Sequence, residues 1–150
     1  MQKEAASQLA LQLLEQHGLL QQGWRFRFDR ARTRFGCCNY RERVISLSPM
    51  LTASNDETAV RETLLHEIAH ALVGPRAGHG PQWKQKAQEI GCSGARCHSA
   101  ELPPGKWQAR CQGCGRLYHR HRKPSRKYSC GQCSSRFNPA FLLEFKLASI

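Results

Sequence analysis

The sequence predicts an α+β domain followed by a small β-rich module, and three patterns indicate this class. Apolar residues recur at helical spacing near the N-terminus and again between residues 57 and 73. Apolar and basic residues alternate between Trp24 and Phe28, which is the period of a half-buried strand. After Gly91 the chain becomes rich in cysteine, glycine, proline and basic residues, which indicates a separate module.

Length and composition narrow the class of protein further. The chain has 150 residues, of which 40% are hydrophobic, so it can bury one main core. Its 7 prolines and 12 glycines are too few for a collagen-like or low-complexity chain. No stretch has the roughly 18 uncharged apolar residues of a membrane span, and the first residues lack the pattern of a signal peptide. We expect a soluble protein without membrane contacts, and a monomer is the favoured state.

The charge indicates a polyanionic partner. Lysine and arginine number 23 and aspartate and glutamate 11, which gives a formal net charge of +12. Such an excess favours nucleic acid through steering and counterion release. The alternative from net charge alone is a basic protein with no such partner.

The first predicted element is an amphipathic helix that starts near residue 3 and ends at Gly18. Leu9 and Leu13 share one side of this helix with neighbouring leucines, so it should serve packing.

Two strands should follow, at Trp24–Phe28 and at Val44–Leu47. A turn around Gly36 and Asn39 separates them, and Pro49 ends the second. We expect the two strands to pair antiparallel.

The next helix has the clearest start signal in the chain. Ser54 is a candidate N-cap with Glu57 three residues later, and the helix should run to about Val73, where Gly74-Pro75 stops it. A second helix should open at Pro81 and reach Ile90.

The capped helix contains an H-E-x-x-H motif at His66-Glu67-Ile68-Ala69-His70. Residues four apart lie on one helix face, so both imidazoles can reach one zinc ion with Glu67 beside them. Catalytic zinc needs a third protein ligand, and His79 follows on a glycine-flanked turn that can fold back. The alternative for His79 is a surface or N-capping histidine. Glu67 is then the general base that deprotonates a metal-activated water.

Four of the eight cysteines have the spacing of a structural zinc site. Cys111-x-x-Cys114 and Cys130-x-x-Cys133 are separated by 15 residues, as in zinc ribbons, and four thiolates leave no open position for chemistry. We therefore expect two Zn²⁺ ions, one catalytic and one structural. The remaining cysteines are expected to be free thiols, with ligation by the last pair as the alternative: Cys37, Cys38, Cys92 and Cys97.

The loop of the ribbon mixes cations with tyrosines, a composition that suits phosphates and exposed bases. From residue 106 to residue 136 the chain has nine basic residues and no acidic one. The alternative is a hairpin that is simply well solvated. The candidate nucleic-acid-binding residues are Arg116, Tyr118, Arg120, Arg122, Lys123, Arg126 and Lys127.

These motifs together resemble the SprT-like metalloprotease family. The resemblance covers roughly residues 20–137 and rests on the block Arg61–Ala71, on His79-Gly80-Pro81-Gln82-Trp83 and on the basic ribbon. It implies a zincin-like domain over residues 1–102 with an active-site helix, and a zinc ribbon with the C-terminal segment over residues 103–150. In that family the histidines that match His66, His70 and His79 bind zinc and the glutamate that matches Glu67 is the base.

The resemblance also implies a substrate class. The family's Spartan branch is a DNA-stimulated protease that acts on proteins crosslinked to DNA, so a protein substrate and DNA, single-stranded or duplex, are the expected partners. The compact length favours the cytoplasm or nucleoid of a bacterium. Trp83 is expected to pack under the site.

Two rival interpretations stay open at this point. In the first, both zinc ions are structural and the chain is a non-catalytic nucleic-acid-binding or regulatory protein. In the second, it is a zinc amidase or another hydrolase, which the helix motif alone does not exclude.

Overall fold

The computed structural model describes residues 1–95 and 104–148 and has the mixed helix and strand content of an α+β protein. The chain divides into two compact units, Met1–Pro103 and Pro104–Ile150. In the described part of the chain, no helix is both long and apolar enough to cross a membrane.

The first unit opens with the expected amphipathic helix. Helix α1 spans Lys3–Gln16, so it ends two residues before Gly18, where the sequence predicted its end. It buries Leu9, Leu13 and Leu14. Gly18 then takes a positive φ of 71°, which allows the chain to turn back after the helix.

A three-stranded sheet follows, and its topology corrects the sequence prediction. Strand β1 spans Arg25–Phe28, β2 spans Gly36–Asn39 and β3 spans Val44–Leu47, in the order β1-β3-β2. β1 and β3 were expected to pair antiparallel, but they pair parallel. The expectation was wrong because β2, interpreted as a turn in the sequence, is a strand that forms the antiparallel hairpin with β3. The chain therefore enters β3 in the same direction as β1.

The start of the motif-bearing helix is also corrected. Ser48 caps a short helix α2, Pro49–Ser54, whose first residue is the proline that was expected only to end β3. Helix α3 spans Glu57–Val73, and its N-cap is Asp56, whose side chain accepts a hydrogen bond from the N–H of Ala59 at 2.9 Å. Ser54 does not cap α3, because it is the last residue of α2.

The end of α3 and the next helix agree with the sequence signals. Gly74, with φ of 88°, caps α3, and a 3₁₀ turn at Pro75–Ala77 follows. Helix α4 spans Pro81–Glu89 with proline at its first position, and Ile90 is its C-cap.

The core of the first unit lies between the helices and one face of the sheet. α1 and α3 each supply five residues of it, those of α3 from Val60 to Ala69. Ile45 and Leu47 of β3 and Trp83 of α4 pack into the same cluster. The metal-ligand motif therefore lies on the helix that also forms the centre of the core.

The second unit is small and rich in short strands. They are β4 Trp107–Arg110, β5 Leu117–Arg120, β6 Tyr128–Ser129, β7 Leu142–Leu143 and β8 Lys146–Leu147. β4 lies between β5 and β8 and pairs antiparallel with both, while β6 pairs antiparallel with β7. A 3₁₀ turn at Pro139–Phe141 precedes β7. Among the described residues, its buried core consists of Ala109, Cys111, Cys130 and Leu143.

Candidate functional site

Three histidines converge in the first unit. The Nε2 atom of His79 lies 3.0 Å from Nε2 of His66 and 3.0 Å from Nε2 of His70. His66 and His70 come from successive turns of α3, as their spacing predicts. The structure therefore brings together the three residues that the sequence proposes as zinc ligands.

The turn after α3 delivers His79 to the helix. The N–H of Gly74 donates to the carbonyl of His70 at 2.9 Å and ends the helix. Gly78 has φ of 51° and ψ of −132°, a conformation open essentially to glycine alone. The chain reverses there, so His79 returns over the C-terminal turns of α3.

The donor set fits a zinc ion. The ligand atoms of the three histidines all lie within 4.8 Å of one another. Nitrogens bound to one zinc at about 2.0–2.1 Å lie roughly 3.3 Å apart at the tetrahedral angle, close to the spacing found here. Burial, followed by the neighbouring His79, lowers the pKa of His70 to about 4, so its ring is neutral at pH 7 as a ligand must be.

Trp83 forms the floor of the histidine group. Its ring is 1% exposed and stacks on His70 with centroids 5.2 Å apart. The rings of His66 and His79 lie 4.6 and 4.7 Å from it. Its Nε1–H donates to the backbone carbonyl of His66 at 3.3 Å. The expectation that Trp83 packs under the site is confirmed.

Glu67 is buried beside the first histidine. Its side chain lies against β2, where a Cβ atom on Gly36 would meet Cγ and Oε1 of Glu67 at 3.0 Å. Burial raises the pKa of Glu67 to about 7, although Arg34 and the backbone N–H of Cys38 act to lower it. A carboxylate of this pKa can take and return a proton near neutral pH.

Sequence reasoning missed the group that brings Arg34 toward this carboxylate. Asp29 Oδ2 accepts hydrogen bonds from Arg34 Nη2 and Ser46 Oγ, both at 2.8 Å. Its Oδ1 accepts from the N–H of Ala31 at 2.8 Å. Burial acts to raise the pKa of Asp29, but these hydrogen bonds and the guanidinium together lower it. The only sequence signal was the arginine-rich segment after β1.

Four cysteines converge in the second unit. Sγ of Cys111 lies 3.6 Å from Sγ of Cys133, and Sγ of Cys114 lies 3.6 Å from Sγ of Cys130. Thiolates around one zinc at about 2.3 Å lie roughly 3.8 Å apart, so this group also fits a zinc ion.

Tyr118 contacts this cysteine group directly. Its hydroxyl lies 3.0 Å from Cys130 Sγ, and this hydrogen bond is the largest of the causes that lower the pKa of Cys130 to about 6, followed by hydrogen bonds from the backbone of Cys133 and Gln132. Tyr118 was expected to contact nucleic acid, but its hydroxyl is engaged with a candidate metal ligand. No signal in the sequence distinguishes this tyrosine from Tyr128, the other tyrosine of the ribbon.

The other candidate nucleic-acid contacts lie on the surface of the second unit. All six of these cations are exposed: Arg116, Arg120, Arg122, Lys123, Arg126 and Lys127. Several lie over aromatic rings: Arg116 over Tyr118 at 5.5 Å, Arg120 over Tyr128 at 5.9 Å and Lys123 over Trp107 at 5.6 Å.

The remaining thiols and histidines stay outside both groups, as far as the described residues go. Burial raises the pKa of Cys38 to about 12 and of Cys92 to about 11, and that of Cys37 also rises. Protonated thiols of this kind are poor ligands at neutral pH. Neither candidate metal group includes His17, His119 or His121. Cys97 and His98 lie outside the described residues.

Comparison with known proteins gives one family. A sequence model of the SprT-like family matches residues 4–103, a range that contains the three histidines and Glu67. Protein SprT of Yersinia pseudotuberculosis serotype O:1b is 28% identical over 140 residues, a match that covers 84% of this chain and 82% of that protein. Protein SprT of Escherichia coli O1:K1 is 31% identical over 102 residues, which cover 59% of this chain and 62% of that protein.

Proposed function

The chain belongs to the SprT-like family, and on that basis we propose that it is a zinc-dependent endopeptidase that acts on proteins bound or crosslinked to DNA. The observation that carries the proposal is the convergence of His66, His70 and His79 on one point, with the buried carboxyl group of Glu67 on the same helix. The proposal includes a zincin-like fold for residues 1–102 with α3 as the active-site helix. It also implies a location in the cytoplasm or nucleoid of a bacterium, where such a protein would meet DNA.

The chemistry divides between the ion and the chain. A zinc ion held by the three histidines would polarise the substrate carbonyl and increase the acidity of a water molecule. Glu67 accepts the proton of the attacking water on a carboxylate oxygen and then donates it to the nitrogen of the leaving peptide. Burial of Glu67 supports both steps, because it raises the pKa of the carboxyl group to about 7, and a group with a pKa near neutrality can both accept and release a proton.

The second unit would serve structure and DNA binding. Four thiolates close the coordination of a zinc ion, so this ion would stabilise the ribbon and take no part in hydrolysis. The exposed cations around Arg120 and Lys123 support DNA as the partner, since cations beside aromatic rings can contact both phosphates and bases.

The test is cleavage of a basic DNA-bound protein by the zinc-loaded chain, with and without single-stranded DNA. Glu67→Gln is the matched control, because it keeps the shape and all three histidines. We expect cleavage by the parent, stimulation by DNA, and no cleavage by Glu67→Gln at an unchanged content of about two zinc ions per chain. Absence of cleavage by the parent, with both ions bound and DNA binding intact, would instead support a non-catalytic nucleic-acid-binding protein.

A second variant separates the two candidate zinc sites. Cys111→Ser removes one of four thiolates, so we expect the loss of one zinc ion and weaker DNA binding, with the histidine site still loaded. Equal zinc loss from Cys111→Ser and Glu67→Gln would contradict this division between the sites.

A further inference from the structure

The first unit has an arginine-rich surface that the proposed function does not use. The segment from residue 25 to residue 43 has seven arginines and only two acidic residues, Asp29 and Glu42. All seven side chains are exposed. We call this set the arginine surface: Arg25, Arg27, Arg30, Arg32, Arg34, Arg41 and Arg43.

Contacts within the sheet and its turns bring several of these arginines close together. The N–H of Arg25 donates to the carbonyl of Arg43 at 2.9 Å, so the start of β1 lies beside the turn between β2 and β3. Arg27 forms an ion pair with Glu42 of that turn at 2.8 Å. At the other end of β1, Asp29 binds Arg34. Four strand residues span about 13 Å, so the surface is long enough to meet several phosphates.

The loop between β1 and β2 is held in place by hydrogen bonds. Asp29 accepts from the N–H of Ala31, from Ser46 and from Arg34, and Ser48 donates to the carbonyl of Ala31 at 2.7 Å. The arginines of this loop therefore extend from an ordered backbone, which reduces the entropy lost on binding.

Most of the positive charge is not neutralised by residues that the structure describes. Among these residues, ion pairs form at Arg27 and Arg34 of the arginine surface, while Arg43 donates to the carbonyl of Gln22 at 2.7 Å. Arg25, Arg30, Arg32 and Arg41 have neither an ion pair nor a side-chain hydrogen bond with any residue that the structure describes. Their mutual repulsion is relieved when an anion binds.

The chemistry of the surface fits a phosphate backbone. All its cations are arginines, whose planar guanidinium groups bind phosphate through two parallel hydrogen bonds. A membrane is less suited, because none of the large exposed apolar side chains of the described residues lies between residues 25 and 43. Gly36, two residues after Arg34, packs against Glu67, and the charge of Arg34 acts on that carboxyl group, so one end of the surface is near the proposed general base.

We propose that the arginine surface is a nucleic-acid-binding site on the metal-binding unit itself, which holds phosphates next to the proposed active site. The inference rests on the proposed function only in its choice of DNA as the nucleic acid. Because it concerns binding, it is tested without measuring cleavage.

The experiment measures binding of the full zinc-loaded chain to fluorescent single-stranded and duplex DNA by anisotropy over a series of salt concentrations. Two double variants, Arg30→Gln/Arg32→Gln and Arg25→Gln/Arg41→Gln, remove arginines that lack partners. The matched control, Arg61→Gln/Lys84→Gln, removes the same charge from exposed positions on the helices of the same unit. Arg30→Lys/Arg32→Lys keeps the charge. Thermal midpoints and zinc content check that each variant is folded and loaded.

We expect both arginine doubles to bind DNA more weakly and to reduce the slope of log K against log salt by about 1 for each lost contact. The control and the lysine double should retain most of the parent slope. An equal loss in the control would overturn the inference, because net charge alone would then explain it. The inference would also be overturned if the parent protein bound vesicles that contain phosphatidylserine but did not bind DNA.

The outcomes also separate this inference from the proposed function. If Arg122→Gln/Lys123→Gln in the ribbon weakens DNA binding and the arginine doubles do not, the inference is wrong and the proposed DNA association stands. If the parent chain binds no DNA, both fail.

Discussion

Gly36 and Glu67 are in direct contact where β2 crosses α3. A Cβ atom at Gly36 would lie 3.0 Å from Cγ and Oε1 of Glu67 and 2.7 Å from Cγ2 of Thr63. Real Cβ atoms do not tolerate the shorter of these distances, so only glycine allows the strand to approach the helix this closely. The contact also helps to bury the carboxyl group and so to raise its pKa.

Gly36→Ala is therefore expected to destabilise the first unit by about 1–3 kcal/mol, since overpacking forces either β2 or Glu67 to move. Urea unfolding measures the change, and cleavage assays should show a lower kcat at unchanged zinc content. Gly131→Ala is the control, because a Cβ there has no neighbour within 4 Å. Equal stability of the two variants would contradict the contact.

Trp83→Ala should weaken zinc binding at the histidine site by about 10–100-fold, because the three imidazole rings lose the surface that orients them. Competition with a chromophoric chelator measures the affinity. Trp83→Phe keeps a flat aromatic ring, so this variant should retain most of the zinc affinity. If the alanine variant, checked for folding by circular dichroism, binds zinc as tightly as the parent, Trp83 is only a core residue.

Tyr118→Phe removes the hydroxyl that lowers the pKa of Cys130. The thiol then holds its proton more tightly, so zinc competes less well with protons at the cysteine site. We expect an affinity loss of about tenfold that is largest at low pH and shrinks as the pH rises. Zinc titrations of both proteins between pH 6 and pH 8 test this. A loss that does not vary with pH would point to packing instead.

Asp29→Asn should destabilise the chain by about 1–2 kcal/mol at pH 7, because the ion pair with Arg34 and two other hydrogen bonds are weakened. The folded-state pKa of Asp29 is lowered, so its contribution is present above the usual pKa of aspartate and is lost as the pH falls through the folded value. The difference between parent and variant should therefore vanish in acid. Urea unfolding of both metal-free proteins at several pH values measures it, and a constant difference would refute the assignment.

Local signals in the sequence predicted the helices α1, α3 and α4 and the strands β1 and β3, but they missed α2 and β2. Gly74-Pro75 and Pro81 act within one turn of the chain, so the end of α3 and the start of α4 follow from the residues themselves. β2 has no alternation of apolar and polar residues, and its Gly36 resembles a turn residue. Its strand conformation comes from pairing with β3 and from the approach to α3, which are contacts between distant parts of the chain.

The same distinction holds for the candidate site. His66, Glu67 and His70 were found because a helix fixes their relation at a spacing that the sequence displays. His79 was also found, because a single glycine-rich turn separates it from the helix and can bring it back to the other two histidines. The role of Arg34 was missed because its partner Asp29 is held by Ser46, which is 17 residues away in the sequence. The contact of Tyr118 with Cys130 was missed because it also joins distant parts of the chain.

Half of the buried core of the second unit, among the described residues, consists of the metal-ligand cysteines Cys111 and Cys130. The first unit has a larger apolar core that includes none of its candidate histidine ligands. Zinc scarcity in a cell should therefore affect newly made chains in two distinct ways. The first unit would be folded and ready to take up the ion later, whereas the ribbon would remain unfolded and open to proteolysis until zinc arrives.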